Sequence, residues 1–303
     1  MTNAQSLQAT IHHVEDLQAV VKTMKALAAV SIRQYERAVD VLGEYSRSIE
    51  TGFQILLQQR HFQGEPLIPP LLASHSVEFQ RVAAIIFGSD RGLCGQFNER
   101  IASFALSELQ ALGLNNDPLI AIAGERLLTP LESENKVIYQ QFAVPAAVDA
   151  IVDLTAEILL AIEDWQLHKQ VDRVILYYNE PSTGTTYNPR QFQLLPIDLD
   201  WLHSLSQQSW QTNEIPLLTM DEEAFLSALI REYLSLYLFL AAAASLASEN
   251  ASRLSSMQSA EKNIQDRISD LTSEYRRQRQ SAITSELLDV VSGFEALSDH
   301  PSS

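Results

Sequence analysis

LLTMDEEAFLSALIREYLSLYLFLAAAASLASENASRLSSMQSAEKNIQDRISDLTSEYRRQRQSAITSELLDVVS, residues 217–292, runs for 76 positions without a glycine or a proline. Nothing in it breaks a helix, and at about 1.5 Å rise per residue it reaches roughly 110 Å. An ordinary domain helix makes about three turns. Apolar residues recur at Leu226, Leu229, Tyr233, Leu236, Leu240, Ala247, Ala251, Leu254, Ile264, Ile268, Leu271 and Tyr275, and again at Leu287, Val290, Val291, Phe294 and Leu297. Steps of three and four dominate, which marks a helical seam made to lie against a partner. Asp221, Glu222 and Glu223 open the run, where the helix dipole favours acids. From Ser245 to Ser285 the helix is rich in Ala, Ser, Asn and Gln, small or polar residues that suit close packing.

The other end of the chain answers this helix. Residues 1–42 also lack Gly and Pro, and the first proline is Pro66. Leu7, Ile11, Val14, Leu17, Val21, Met24, Ala28, Ile32 and Tyr35 form a seam, continued by Leu42, Tyr45, Ile49, Phe53 and Leu56. The spacing predicts a helix from about Leu7 to about Gln59, within an N-terminal helical region of residues 1–62. Gly43 and Gly52 weaken its second half by up to about 1 kcal/mol each. Gly64, Glu65, Pro66, Pro69 and Pro70 end it as a linker.

Between the helices, residues 78–200 alternate strands with helices. VAAIIF after Arg81 is a continuous apolar strand of the kind covered on both faces. Gly88-Ser-Asp-Arg-Gly-Leu-Cys-Gly95 turns it into a helix over 96–112. A turn at 115–118, a strand at 118–124, a short helix, and a strand at 136–142 follow. A helix then opens at Pro145 as its first residue. A strand at 171–179 returns through Pro181–Gly184 into an antiparallel partner, QFQLLPI, at 191–197. The pattern predicts an α/β domain with a parallel or mixed sheet, flanked by long helices. Residues 198–220 read as a polar connection, 221–297 as the second long helix, and 298–303 as a tail.

Composition limits the function. The net charge is −17. Residues 61–219 carry eight basic and nineteen acidic side chains, so the middle domain repels nucleic acid and anionic lipid. Cys94 is the single cysteine, so no intrachain disulfide forms. The start, MTNAQSLQATIHHVED, has neither a basic nor an apolar signal region, and LSLYLFLAAAASLA at 234–247 is too short to span a bilayer.

The turn from Gly88 through Asp90, Arg91 and Gly92 to Gly95 lies where a phosphate loop would lie. It lacks both the G-x-G-x-x-G spacing and a G-K-[ST] motif, so a tight structural turn is the better reading. Cys94 reads as packed and inert, and His12-His13 as splayed apart on a helix. Asp221-Glu222-Glu223 reads as a helix start before a metal site. No catalytic constellation, cofactor site or metal site is expected. Arg276, Arg277 and Arg279 form the sharpest basic cluster, either a solvated helix face or a contact for an acidic partner. Residue patterns alone leave open a nucleotide-binding enzyme with a coiled-coil dimerisation arm, or a coiled-coil scaffold.

Three segments bring in a family resemblance. IHHVEDLQAVVKTMKALAAVSIR carries Val14, Gln18, Lys22, Met24, Lys25, Ala28, Ala29 and Arg33 in places typical of the γ subunits of F-type ATP synthases. GSDRGLCGQFN (88–98) resembles that family's signature loop. ASENASRLSSMQSAEKN (247–263) and YRRQRQSAITSELLDVVSG (275–293) resemble its C-terminal pattern, and QLLP (193–196) also fits. The resemblance implies an antiparallel coiled coil of the two terminal helices, a central Rossmann-like domain, and no bond chemistry in the chain itself. Expected partners are the α and β subunits of the hexamer, the ε subunit and the c-ring. Membrane association would run only through that complex, on the cytoplasmic face of a bacterial membrane or on a thylakoid. Contacts with β subunits would fall to Met24, Lys25, Arg253, Arg279, Gln280, Thr284 and Glu286. The departures are His12, His13, Glu15 and Asp16, where the family is basic, and Val30-Ser31 in place of Ser-Lys. They make the chain similar to the alternative, second-operon F-type ATPases, several of which pump sodium.

Overall fold

The computed structural model describes residues 3–69, 81–114, 116–208, 210 and 218–298. Pro70, Asn115, Pro216 and the tail beyond Ser298, all read above as linker, turn or tail, lie outside the described residues. The chain divides into two compact units, one of Ala28–Leu254 and one of Met1–Leu27 with Ser255–Ser303.

The larger unit is built on a five-stranded sheet, β1 (Val82–Phe87), β2 (Leu119–Ala123), β3 (Ile138–Phe142), β4 (Arg173–Pro181) and β5 (Tyr187–Leu195). The order is β3-β2-β1-β4-β5. The first four strands are parallel, with Ala83 opposite Leu119 and Val174, and β5 runs antiparallel to β4. Every residue of β1 and β2 is buried, because helices cover both faces and continuous apolar runs are then needed. On one face Val82, Ala84, Ile86, Ile120, Ile122, Ile175 and Tyr177 meet α2 (Phe97–Ala111) and the short α3 (Leu128–Ser133). On the other face Ala83, Ile85, Phe87, Ala121 and Leu176 meet α4 (Ile151–Lys169) and the residues of the long helices that belong to this unit.

Those long helices are α1 (Asn3–Gln63) and α6 (Glu222–Ser298). Within the larger unit the inward residues of α1 are Ala28, Ile32, Tyr35, Val39, Leu42, Ser46, Ile49, Phe53 and Leu56, alternating steps of four and three. Tyr45, placed in the seam from sequence, is 41 % exposed; Ser46 occupies that heptad position instead. Gly52 is a contact point rather than a weak one. A Cβ there would lie 2.5 Å from the Leu229 side chain, so the glycine sets how near the helices come. A Cβ on Gly43 would meet nothing within 4 Å beyond its own helix turn among the described residues.

Two sequence expectations need correction. Pro145 does not open a helix; it lies in the connection after β3, and α4 starts at Ile151 after a 3-10 turn at Val148–Ala150. The stretch after β5 is not all polar connection, because α5 (Leu199–Gln207) forms there. Its N-cap is Asp198, whose carboxylate accepts a hydrogen bond from the Asp200 N–H at 2.9 Å. Leu202 and Leu205 are buried, and Trp201 packs edge-on against Phe53 at 5.6 Å. By length and composition alone, an 18-residue window of α6 is apolar enough to cross a membrane. Leu236, Leu238 and Ala241–Ala243 of the same helix are nonetheless core residues of this unit.

The smaller unit pairs the start of α1 with the distal part of α6. Gln18 donates to Gln265 Oε1 at 2.7 Å, and Lys25 Nζ lies 2.5 Å from Glu261 Oε2. Position rises on one helix as it falls on the other, so the pairing is antiparallel. Ile11, Val14, Gln18, Val21 and Lys25 face inward in heptad steps. Leu17, given to the seam from sequence, is 56 % exposed, because Gln18 takes that place through its bond to Gln265.

Candidate functional site

In an open parallel sheet, ligands sit outside the carboxyl ends of the strands where the chain order reverses. Here that place is between β1 and β4. It is filled by α6. Ser245 Oγ donates to Phe87 O at 3.4 Å, Ser248 Oγ to Asn179 O at 3.0 Å, and Ser252 Oγ to Cys94 O at 2.5 Å. Phe87 ends β1 and Asn179 lies near the end of β4, so one helix face satisfies both strand ends. All three serines are buried. The steps of three and four, 245–248–252, place the hydroxyls on one face of the helix. The small residues of 241–252 let the backbone come this close. The space a nucleotide would use is occupied by the chain's own helix, which disfavours the enzyme reading.

The signature turn locks the same corner. Asp90 Oδ1 accepts from the Glu125 N–H and Oδ2 from the Val144 N–H, both at 2.8 Å, which ties the ends of β2 and β3 to that of β1. Asn98 at the start of α2 accepts from the Ser89 N–H at 3.0 Å and donates to Ser89 Oγ at 2.8 Å. Its buried amide was not singled out from sequence, although it closes the GSDRGLCGQFN motif. The glycines differ in role. Gly88 is needed for space, since a Cβ would meet Leu127 at 2.5 Å, and Gly95 takes a φ of 58°. Gly92 needs neither, because the left-handed residue beside it is Leu93, at φ 65°. Arg91 lies beside the buried carboxylate of Glu249. Cys94 is buried, and that burial pushes its thiol up, partly offset by a hydrogen bond with Ser89. It therefore stays a neutral thiol, as the sequence suggested.

Arg253 completes the corner. Its side chain is 11 % exposed and bonds Glu249 at 2.5 Å, Asn250 Oδ1 at 3.1 Å and Gly92 O at 3.5 Å. Glu249 is 4 % exposed. Burial pushes its carboxyl up, opposed by Arg253 and Arg91. Sequence reading named Arg253 but not Glu249, four residues earlier on the same face.

The remaining candidates lie in the smaller unit. Met24 and Lys25 are half-buried, and Lys25 holds the Glu261 carboxyl below its usual range. Arg279, Gln280, Thr284 and Glu286 are exposed, as is every residue from Arg279 to Ser292. The pairs 25–261 and 18–265 set Asn3, the first described residue of α1, opposite about position 280. Among the described residues no cluster of three or more metal-ligating side chains occurs.

Residues 3–297 match the family model described as ATP synthase. The ATP synthase gamma chain of Synechococcus elongatus is 30 % identical over 328 aligned positions, covering 98 % of this chain and 99 % of that protein. That of Heliobacterium modesticaldum is 27 % identical, covering 98 % and 100 %. A chain of the Euglena gracilis mitochondrial ATP synthase, solved as an OSCP/F1/c-ring assembly, superposes with a TM-score of 0.64 over 99 % of this chain and 97 % of that one, at 16 % identity. This chain belongs to the ATP synthase gamma family, and its role is that of the central rotor shaft of an F-type ATP synthase.

Proposed function

We propose that the distal end of α6 is the surface on which this rotor works against the β subunits. The observation that supports it is the unbroken exposure from Arg279 to Ser292. Ile283, Leu287, Leu288, Val290 and Val291 are 49–66 % exposed there, a run of apolar side chains with no covering helix among the described residues. Arg279, Gln280, Thr284 and Glu286 supply polar groups on the same stretch, suited to charge-assisted hydrogen bonds that form and break as the shaft turns. Met24 and Lys25 extend the contact onto α1, and Arg253 adds only what its bonds within the chain leave exposed. The functional parts are then the helices of 1–62 and 221–297, the domain of 78–200 and the tail of 298–303.

The subunits in contact are α and β around the helices, and ε with the c-ring at the sheet domain, on the cytoplasmic face of a bacterial membrane or on a thylakoid. Assignment to the sodium-type subgroup rests on the acidic start of α1. The ion itself is chosen by c-subunit side chains, which this chain does not contain.

Thr284→Cys tests the contact. Treated with a short thiol–amine cross-linker in the αβγ complex, it is expected to join β and to stop ATP hydrolysis until the link is cleaved. An adduct with neither β nor α, at full labelling of the cysteine, would refute the proposal. Met24→Lys adds a half-buried charge and is expected to lower the ions pumped per ATP while hydrolysis continues. Unchanged pumping per ATP in sealed vesicles would remove Met24 from the contact set.

A further inference from the structure

The larger unit holds a second feature, unrelated to torque. A groove of about 470 Å³ opens between α1, the β4–β5 hairpin and α6. That is the size of a small-molecule site, usually about 300–1,000 Å³. Its wall is aromatic: Phe192 and Tyr237 stack at 4.5 Å with 12° between their planes, and Tyr178 and Leu240 continue the surface. Among the described residues, two carboxylates, Glu36 from α1 and Glu180 from β4, are its charged lining residues. Glu180 is held by Arg190 at 2.6 Å, whereas Glu36 has no ionic or hydrogen-bonded partner among the described residues. With Glu180 paired to Arg190, the formal charge of these three groups is left to Glu36 and is negative. Burial first, and Glu180 second, push the Tyr178 hydroxyl up, and burial and then Glu50 do the same for Tyr237.

We propose that this groove is a binding site for amphiphilic organic cations, namely planar aromatic amines that are protonated at neutral pH. The ring system lies against Phe192, Tyr237 and Leu240, where apolar area is removed from water. The charged nitrogen lies at the mouth, between Tyr178 and Glu36, since the Tyr237 ring is already packed between Phe192 and Tyr233. There it gains both a cation–π contact and an opposite charge. Anionic and neutral rings of the same shape are disfavoured, since the cation beside the groove, Arg190, is already paired with Glu180 and the Glu36 carboxylate gains nothing from a neutral ring.

The test is equilibrium dialysis of 9-aminoacridine against the αβγ complex with its nucleotide sites filled by ADP. Acridine, the same ring uncharged at neutral pH, serves as the control. One saturable site per γ chain is expected, with acridine bound at least about fivefold more weakly. Glu36→Gln, a change on an exposed residue, should weaken 9-aminoacridine by about fivefold and leave acridine unchanged. Ala244→Phe, which fills the apolar floor, should weaken both. Equal binding of the two rings, or binding indifferent to Glu36→Gln, overturns the proposal. The rotor role would stand either way.

Discussion

Arg253→Ala is expected to destabilise the larger unit by about 3 kcal/mol, because it strands Glu249 in a buried site. Arg91 still faces that carboxylate and keeps the loss at the lower end of the usual range. The bonds to Asn250 and to Gly92 O go with the guanidinium, so the signature turn loses its tie to α6. The loss should depend on pH, and its sign follows from Glu249. Its carboxyl is already raised in the folded protein above the ordinary 4.5, chiefly by burial, and removing Arg253 raises it further. A raised carboxyl favours the protonated native state. That contribution is whole below about pH 4.5 and is lost as pH climbs through the folded value. The variant should therefore fall further below the parent at about pH 8 than at about pH 5. Adding Glu249→Gln should recover part of the deficit and flatten the pH dependence. Urea midpoints of the parent, single and double variants at the two pH values decide it. A deficit that is equal at both, with no recovery in the double variant, would mean that the pair is not what holds this corner.

Gly124→Val should be more damaging still, at about 4 kcal/mol or loss of folding. Gly124 follows β2 at φ 120° and ψ 120°, a conformation closed to a β-branched residue. A Cβ there would lie 2.6 Å from Ser89 N and 2.8 Å from Gly88 C, both backbone atoms that cannot swing aside. The crossing also carries hydrogen bonds: Gly88 N–H donates to Ala123 O at 2.7 Å and Gly124 N–H to Phe142 O at 3.1 Å. Moving the strands apart to admit a side chain breaks both and unseats Asp90. Thermal unfolding compares the variants, with Gly124→Ala expected between the parent and valine. A valine variant within about 1 kcal/mol of the parent would show that the strand ends have more room than this geometry allows.

Arg253 and Gly124 belong to one corner. The turn after β1 is fixed to β2 and β3 by Asp90, to α2 by Asn98, and to α6 by Ser252 and Arg253. A sheet domain fastened to a long helix through buried polar bonds turns with that helix, as a rotor requires. Polar bonds at this depth are also expensive to leave half-made, which is why single substitutions here carry large effects.

Local periodicity and punctuation were enough to read most of the fold from sequence. Two long helices follow from spans without Gly or Pro, and the parallel strands from short apolar runs between turn residues, because backbone preference and one-sided or two-sided burial write themselves into neighbouring positions. The motifs of residues 88–98 and 247–293 were enough to reach the family. Which side chain occupies a heptad position was not legible: Leu17 and Gln18 are adjacent, and only the presence of Gln265 across the pair turns Gln18 inward. The same holds for Gly52, which sequence reads as a flaw and Leu229 makes a contact. α5 left a local trace, Asp198 as cap with Leu202 and Leu205 three residues apart, too short to stand out from a polar stretch. Only the tertiary structure decided that Ser245, Ser248 and Ser252 would close the strand ends, that Glu249 and Arg253 would be buried together, and that Glu36 would border an aromatic groove. The serine contacts and the Arg253 bond to Gly92 O join residues 69 to 161 positions apart, and even the local Glu249–Arg253 pair is set against the distant signature turn; such separations leave no periodic mark on the residues themselves.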